Sequence, residues 1–201
     1  MAEGLARFEV SDEDYLRAQW YGLLARLLSA PPDQALLTIV RGLTGDDSEL
    51  GRGIHTLATA ARAATPEAVR EEYFNLFIGV GRGELLPFAS YYLTGFLNEK
   101  PLARLRDDMT ELGIVRTDDV KEPEDHIASL CEMMSGLITG EFGEPVDLPR
   151  QRQFFATHIA CWAPRFFDDL QAAESAAFYM PVGAIGSIFL SIESQAFEMA
   201  A

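Results

Sequence analysis

The chain has 201 residues, 48% of them apolar and 23% charged, so it can bury a core without disulfides or a structural metal. Its formal net charge of −15 disfavours a phosphate-neutralising, nucleic-acid-binding surface and docking on an anionic membrane, while favouring a basic partner. Cys131 and Cys161 lie far apart in apolar helical patterns, which reads as reduced thiols in a cytoplasmic protein.

Residues 1–11 carry acids and no apolar centre, unlike a secretory leader, and the best apolar run, 185–192, is too short to insert in a bilayer. Ser11 and Asp14 have capping-box spacing and open a first helix. Leu16, Trp20, Leu23, Leu24, Leu27 and Leu28 follow at helical intervals until Pro31 and Pro32 stop the pattern. A helix over 33–43, an acidic loop over 45–49 and an alanine-rich helix over 54–64 come next. Thr65, Pro66 and Glu67 are a cap, a first-turn proline and an acid at the positive helix end, so another helix runs through Tyr73 and Phe77 to Gly79.

Residues 79–87, with three glycines and a proline, form a loop. Helix resumes near Ser90 and again over 101–112, with Gly113 as the stop. Residues 107–125 hold eight acids against Arg116 and Lys121, a local net charge of −6. The spacing then predicts a helix opened by Glu122, Pro123, Glu124 and Asp125, with Ile127, Leu130, Cys131, Met134, Leu137 and Ile138 as its apolar stripe. Further helices fit 148–162, 165–173 and 175–199. No alternating strands, repeats or long linkers appear, so the expected fold is an all-α bundle in a single domain spanning 1–201.

Catalytic and metal-binding patterns are lacking. The glycine-rich run 79–83 follows a helix and has no phosphate-loop lysine or hydroxyl residue, so it reads as a flexible connection before it reads as a nucleotide site. His55, His126 and His158 have no chelating partner at a suitable spacing; His55 fits a helix surface and His158 a helical interface. In the predicted helix, Asp125 and His126 point about 100° apart, which suits binding groups better than a catalytic dyad. His126 near a helix N-terminus should stay neutral. Among the aromatics from Tyr73 to Phe96, the loop-borne Phe88 and Tyr91 are expected to be exposed.

Three ordered segments carry a resemblance: Tyr73 to Gly79 (YFNLFIG), Pro87 to Tyr92 (PFASYY), and Glu122 to His126 (EPEDH). Together with the later aromatic stretch 154–162 and Phe178-Tyr179, they make the chain similar to the TorD-like family of redox-enzyme maturation chaperones over roughly residues 20–193. The resemblance implies an all-helical, single-domain cytoplasmic chaperone, without catalytic residues, metal or cofactor of its own. Its implied partner is the precursor of a molybdopterin oxidoreductase catalytic subunit, held through its twin-arginine signal peptide, through the apo subunit itself or through both during cofactor insertion, before export. The positions implied for partner binding are Leu76, Phe77, Pro87, Phe88, Ser90, Tyr92, Glu122, Pro123, Asp125 and His126. The family also implies a monomer or a helix-exchanged homodimer, with 79–87 and 113–122 as hinges. This chain departs from many relatives in having Val80-Gly81 after Gly79 where they have proline. Physically, a twin-arginine peptide needs acids beside an apolar groove, which the acidic stretch next to the helix of Ile127 offers. The competing readings are a small enzyme using Asp125 and His126, and a nucleotide-dependent switch using the 79–83 loop.

Overall fold

Side-chain caps set where the helices begin in the computed structural model, which describes residues 10–116 and 122–200. Helix α1 (Asp12–Ser29) starts at Ser11, whose Oγ accepts from the Asp14 N–H at 3.1 Å, and it ends before the two prolines. Asp33, Ser48 and Thr65 cap α2 (Gln34–Arg41), α3 (Glu49–Ala63) and α4 (Pro66–Tyr73) in the same way. Helix α3 thus takes in Glu49 and the residues up to 53, because Ser48 supplies a cap that the acidic composition of the segment obscures.

Helix α4 runs into a π-helical turn (Phe74–Ile78), followed by α5 (Ala89–Thr94), α6 (Lys100–Glu111) and α7 (Ile127–Thr139). Helix α8 (Leu148–Phe155) continues into a second π turn (Ala156–Ala160), and α9 (Ala163–Ala172) and α10 (Tyr179–Met199) complete the chain. Among the described residues there is no strand, only one isolated antiparallel bridge between Phe88 and His126. The all-helical expectation holds.

Helix α7 is buried at nine of its thirteen positions, so it is the central rod of the bundle rather than an amphipathic edge. Helix α1 lies along it, and α10 pairs with α9 and α3. One continuous apolar cluster draws residues from all ten helices of the described residues. The face of α1 turned into it is Ala18, Tyr21, Leu24, Ala25 and Leu28, whereas Leu16, expected in the stripe, is 58% exposed.

Arg17 clamps α1 to the far end of the chain. Its Nε and Nη2 donate to the two carboxylate oxygens of Glu193 at 2.7 and 2.9 Å, and its Nη1 donates to Asp14 at 2.7 Å. The Tyr21 hydroxyl donates to Glu193 as well, at 3.0 Å. Glu193 is fully buried, so its charge depends on these donors.

The loop over 79–87 is tied down rather than flexible. Glu84 N–H donates to the Asn75 carbonyl and Leu85 N–H to the Leu76 carbonyl, at 3.1 and 2.8 Å. Gly79 sits at φ 63°, and a Cβ there would run into the Arg82 carbonyl, so glycine is required for this return. Residues 117–121, including Asp118, Asp119 and Lys121 of the acidic stretch and part of the second proposed hinge, lie outside the described residues.

Candidate functional site

The Pro87 and Glu122 segments, well separated in sequence, meet at the bridge. Ala89 N–H donates to the Asp125 carbonyl at 3.0 Å, and Ile127 N–H donates to the Pro87 carbonyl at 2.9 Å. The Asp125 carboxylate then accepts from the Ser90 N–H at 2.7 Å, fixing the first turn of α5. Residues 122–126 are therefore a turn packed on α5, and the helix begins at Ile127, later than predicted. The proline is not a first-turn residue, and the angle expected between Asp125 and His126 on a helix does not apply.

His126 is the cap of α7. Its Nδ1 accepts from the Ala128 N–H at 3.1 Å, and its ring stands edge-on to Phe88 at 5.0 Å between centroids. Burial pushes its pKa down to about 4. The ring is neutral at pH 7, as expected, and its acceptor role requires an unprotonated Nδ1.

Burial revises where the implied partner-binding positions sit. Leu76, Phe77, Pro87, Phe88, Ser90, Asp125 and His126 are all buried; Tyr92 and Pro123 are partly buried, and Glu122 alone is exposed. Phe88 is thus interior, contrary to its expected exposure, because the bridge draws it against His126. Leu76 and Phe77 lie in the first π turn, where Phe77 packs edge-on against Tyr73 and Tyr179. Tyr92 donates from its hydroxyl to Asp169 at 3.0 Å, tying α5 to α9. These residues form a frame beneath the surface.

We expect Asp125→Ala to destabilise the fold by about 2 kcal/mol, because it strips a charge-assisted bond from a buried N–H. Asp125→Asn, which keeps an acceptor, should recover much of the loss in urea melts. Equal stability of parent and Asp125→Ala would contradict the pinning role.

The surface above this frame has two sides. One cleft, of about 600 Å³, lies between α5, α6 and the second π turn, with Asp125 at its floor and Lys100 and Arg104 among its lining. His158, buried in the same lining, meets Asp108 at 2.6 Å and is the interface histidine the sequence predicts. A second cleft, of about 470 Å³, runs between α1, α7 and the ends of α6 and its following segment. Met109, Ile114, Met133 and Phe142 supply its apolar lining, and Glu124, Glu132 and Glu141 its acids.

The three acids differ. Burial by itself would raise the Glu124 carboxyl, but hydrogen bonds from Arg106 at 2.8 and 3.1 Å outweigh it and hold it below the usual range. Partial burial, and then repulsion from Glu141, push Glu132 up. Among the described residues neither Glu132 nor Glu141 forms an ion pair. Sequence reasoning missed this pair, since Glu132 is an isolated acid on the exposed side of α7 and Glu141 reaches it only through the turn after Gly140 (φ 81°).

Other chemistries find little support. One oxygen of Asp125 is taken by the Ser90 N–H of α5, and Nδ1 of His126 by the Ala128 N–H of the helix it caps. The 79–83 loop turns two of the following N–H groups back onto the π turn, and no helix starts before Ala89 to complete a phosphate cradle. Among the described residues no cluster of three or more metal-ligating side chains occurs, and no helix is long and apolar enough to cross a membrane.

Comparison with known proteins agrees with the frame of signature segments. Residues 44–168 match the family described as nitrate reductase delta subunit. The chaperone protein TorD of Vibrio atlanticus is 29% identical over 164 residues, covering 75% of this chain and 76% of the relative. TorD of Aliivibrio fischeri is 26% identical over 199 residues, covering 88% and 92%. A redox enzyme maturation protein from Archaeoglobus fulgidus shares the fold, with a TM-score of 0.57 and 21% identity over 94% of this chain and 99% of that one. The chain belongs to the nitrate reductase delta subunit family, and the relatives it resembles along most of its length are TorD chaperones.

Proposed function

We propose that this chain is a cytoplasmic maturation chaperone for a molybdopterin oxidoreductase. It holds the precursor of the catalytic subunit by the twin-arginine signal peptide, assists cofactor insertion and delays export until the subunit is complete. The observation that carries this reading is the second cleft, where Glu132 and Glu141 stand without basic partners beside Met109, Met133 and Phe142. An arginine pair gains from the carboxylates, and the apolar residues that follow gain from the methionine and phenylalanine lining.

The buried signature residues serve the cleft from below. Asp125 and Ser90 lock the 122–125 turn against α5, and that turn delivers Glu124 to the cleft. The first cleft suits this peptide less well, because Lys100 and Arg104 line it with the buried Asp125 as its one acid, whereas the second cleft sets three acids against Arg26 and Arg116. The net charge of −15 adds long-range steering, so the association rate should fall with added salt more than the dissociation rate rises.

Titration of a synthetic twin-arginine peptide tests the reading. Replacing both acids, Glu132→Gln with Glu141→Gln, should weaken binding about five- to tenfold at low salt. The parent's affinity should also drop as pH falls through the raised pKa of Glu132, since protonation removes the charge that attracts arginine. Unchanged affinity in the double variant would place the peptide elsewhere.

A further inference from the structure

Gly22 occupies the interior of α1, where glycine makes a helix less stable than alanine would. Neither backbone nor packing calls for it. It is not among the positive-φ residues, and a Cβ built there would meet only the Ser135 Oγ, at an ordinary 3.8 Å. What a side chain at Gly22 would occupy is open surface. Gly22, Arg26 and Ser135 line the acidic second cleft and also a third cleft of about 570 Å³ farther along α1. Ser135 is held low at this junction by the hydrogen bond from its hydroxyl to the Ala18 carbonyl, at 3.0 Å.

The third cleft is apolar. Leu16, Trp20 and Leu23 recur at i, i+4 and i+7 on the side of α1 away from the buried face, and Ile39 of α2 adds to them. Leu16 is 58% exposed and Ile39 49%, an apolar surface that the core does not use. Acids outside any ion pair therefore stand at one end and an apolar floor at the other, and at the junction Gly22 leaves a gap beside Ser135 and the exposed Arg26.

We infer that the two clefts form one continuous groove with Gly22 as its waist. A single client segment lies across it, its basic start against Glu132 and Glu141 and its apolar run over Leu23, Trp20 and Leu16. This rests on the peptide-binding reading above and adds the direction and extent of the bound segment. Charge selects the occupant: a second copy would bring another −15 to an acidic groove, whereas a basic-then-apolar segment matches both ends. Gly22 is a specificity-determining position, since bulk there divides the groove.

Two synthetic peptides test it by calorimetry on the full chain: an arginine pair followed by a leucine–alanine run, and the same basic start without the run. Gly22→Leu and, independently, the exposed Leu16→Ser should each weaken the long peptide by about tenfold, and Leu16→Ser, which lines only the third cleft, should leave the short one unchanged. Gly22→Ala should melt at or above the parent temperature, showing that the site tolerates a Cβ. If both variants bind the long peptide like the parent while Glu132→Gln weakens both peptides, the site ends at the acidic cleft and the continuous groove is wrong. If Glu132→Gln also leaves both peptides unaffected, the peptide-binding reading fails, and the groove with it.

Discussion

Replacing Arg17 with alanine is expected to cost about 3–5 kcal/mol of folding stability, a large part of a typical domain's total. The loss comes from what is left behind. Glu193 is 1% exposed and accepts both guanidinium bonds, so without Arg17 its charge keeps only the Tyr21 hydroxyl. The variant also loses the contact of the guanidinium with the Phe197 ring, at 5.1 Å. Neutralising both partners, Arg17→Met with Glu193→Leu, should restore much of the stability, because no buried charge remains uncompensated. Urea denaturation of the parent, the single and the double variant checks this. A single variant within about 0.5 kcal/mol of the parent would mean that Glu193 has access to water, contrary to its burial.

Acidification should destabilise the protein before most carboxylates titrate. His126 has a folded pKa of about 4 against an ordinary 6.5. Above pH 6.5 both folded and unfolded chains leave it neutral, and it makes no pH-dependent contribution. As pH falls from 6.5 towards 4, the unfolded chain takes up the proton and the folded chain does not, so stability is lost, by about 3 kcal/mol at the lower limit. His158 is also held low, by burial partly offset by Asp108, and acts in the same direction. The lowered carboxyls of Glu84 and Glu124 lose their contribution only in more acidic solution, below the ordinary value of 4.5, so the upper part of the window belongs to the histidines. His126→Asn keeps a capping acceptor and removes the titration. Its melting temperature should start lower at pH 7 and fall less between pH 6.5 and 5 than the parent's. Parallel slopes would show that His126 is free to protonate in the folded protein.

Much of the helical order is legible in the sequence because caps are local. Ser11 and the Thr65–Pro66 pair mark two helix starts with no help from the rest of the chain. The signature segments likewise locate the bridge that joins α5 to α7. What fails is whatever depends on distant partners. The Glu122–Asp125 segment has the composition of a helix start, but the bond from the Ser90 N–H to Asp125 holds it as a turn and leaves His126 to cap α7. Helix α1 carries two apolar sets at helical spacing, one containing Leu16 and Trp20 and one containing Tyr21 and Ala25. Only packing against α7 decides that the second faces inward. The two π turns carry no mark in the residue pattern, although the second lines the basic cleft. The candidate site was legible as a requirement for acids beside apolar surface, while Glu132 and Glu141 meet only once the turn after α7 folds back, with the Val146 N–H donating to the Leu137 carbonyl at 2.8 Å.

Where the client lies is tested most directly by cross-linking. A twin-arginine peptide carrying one photoreactive residue in its apolar run would be bound to the full chain, irradiated, and its attachment points mapped by mass spectrometry. Adducts should fall along α1 and α7, on residues such as Trp20, Leu23 and Met133. Adducts concentrated instead on Leu93, Arg104, Thr157 and Cys161, in the opposite cleft, would contradict the proposed site.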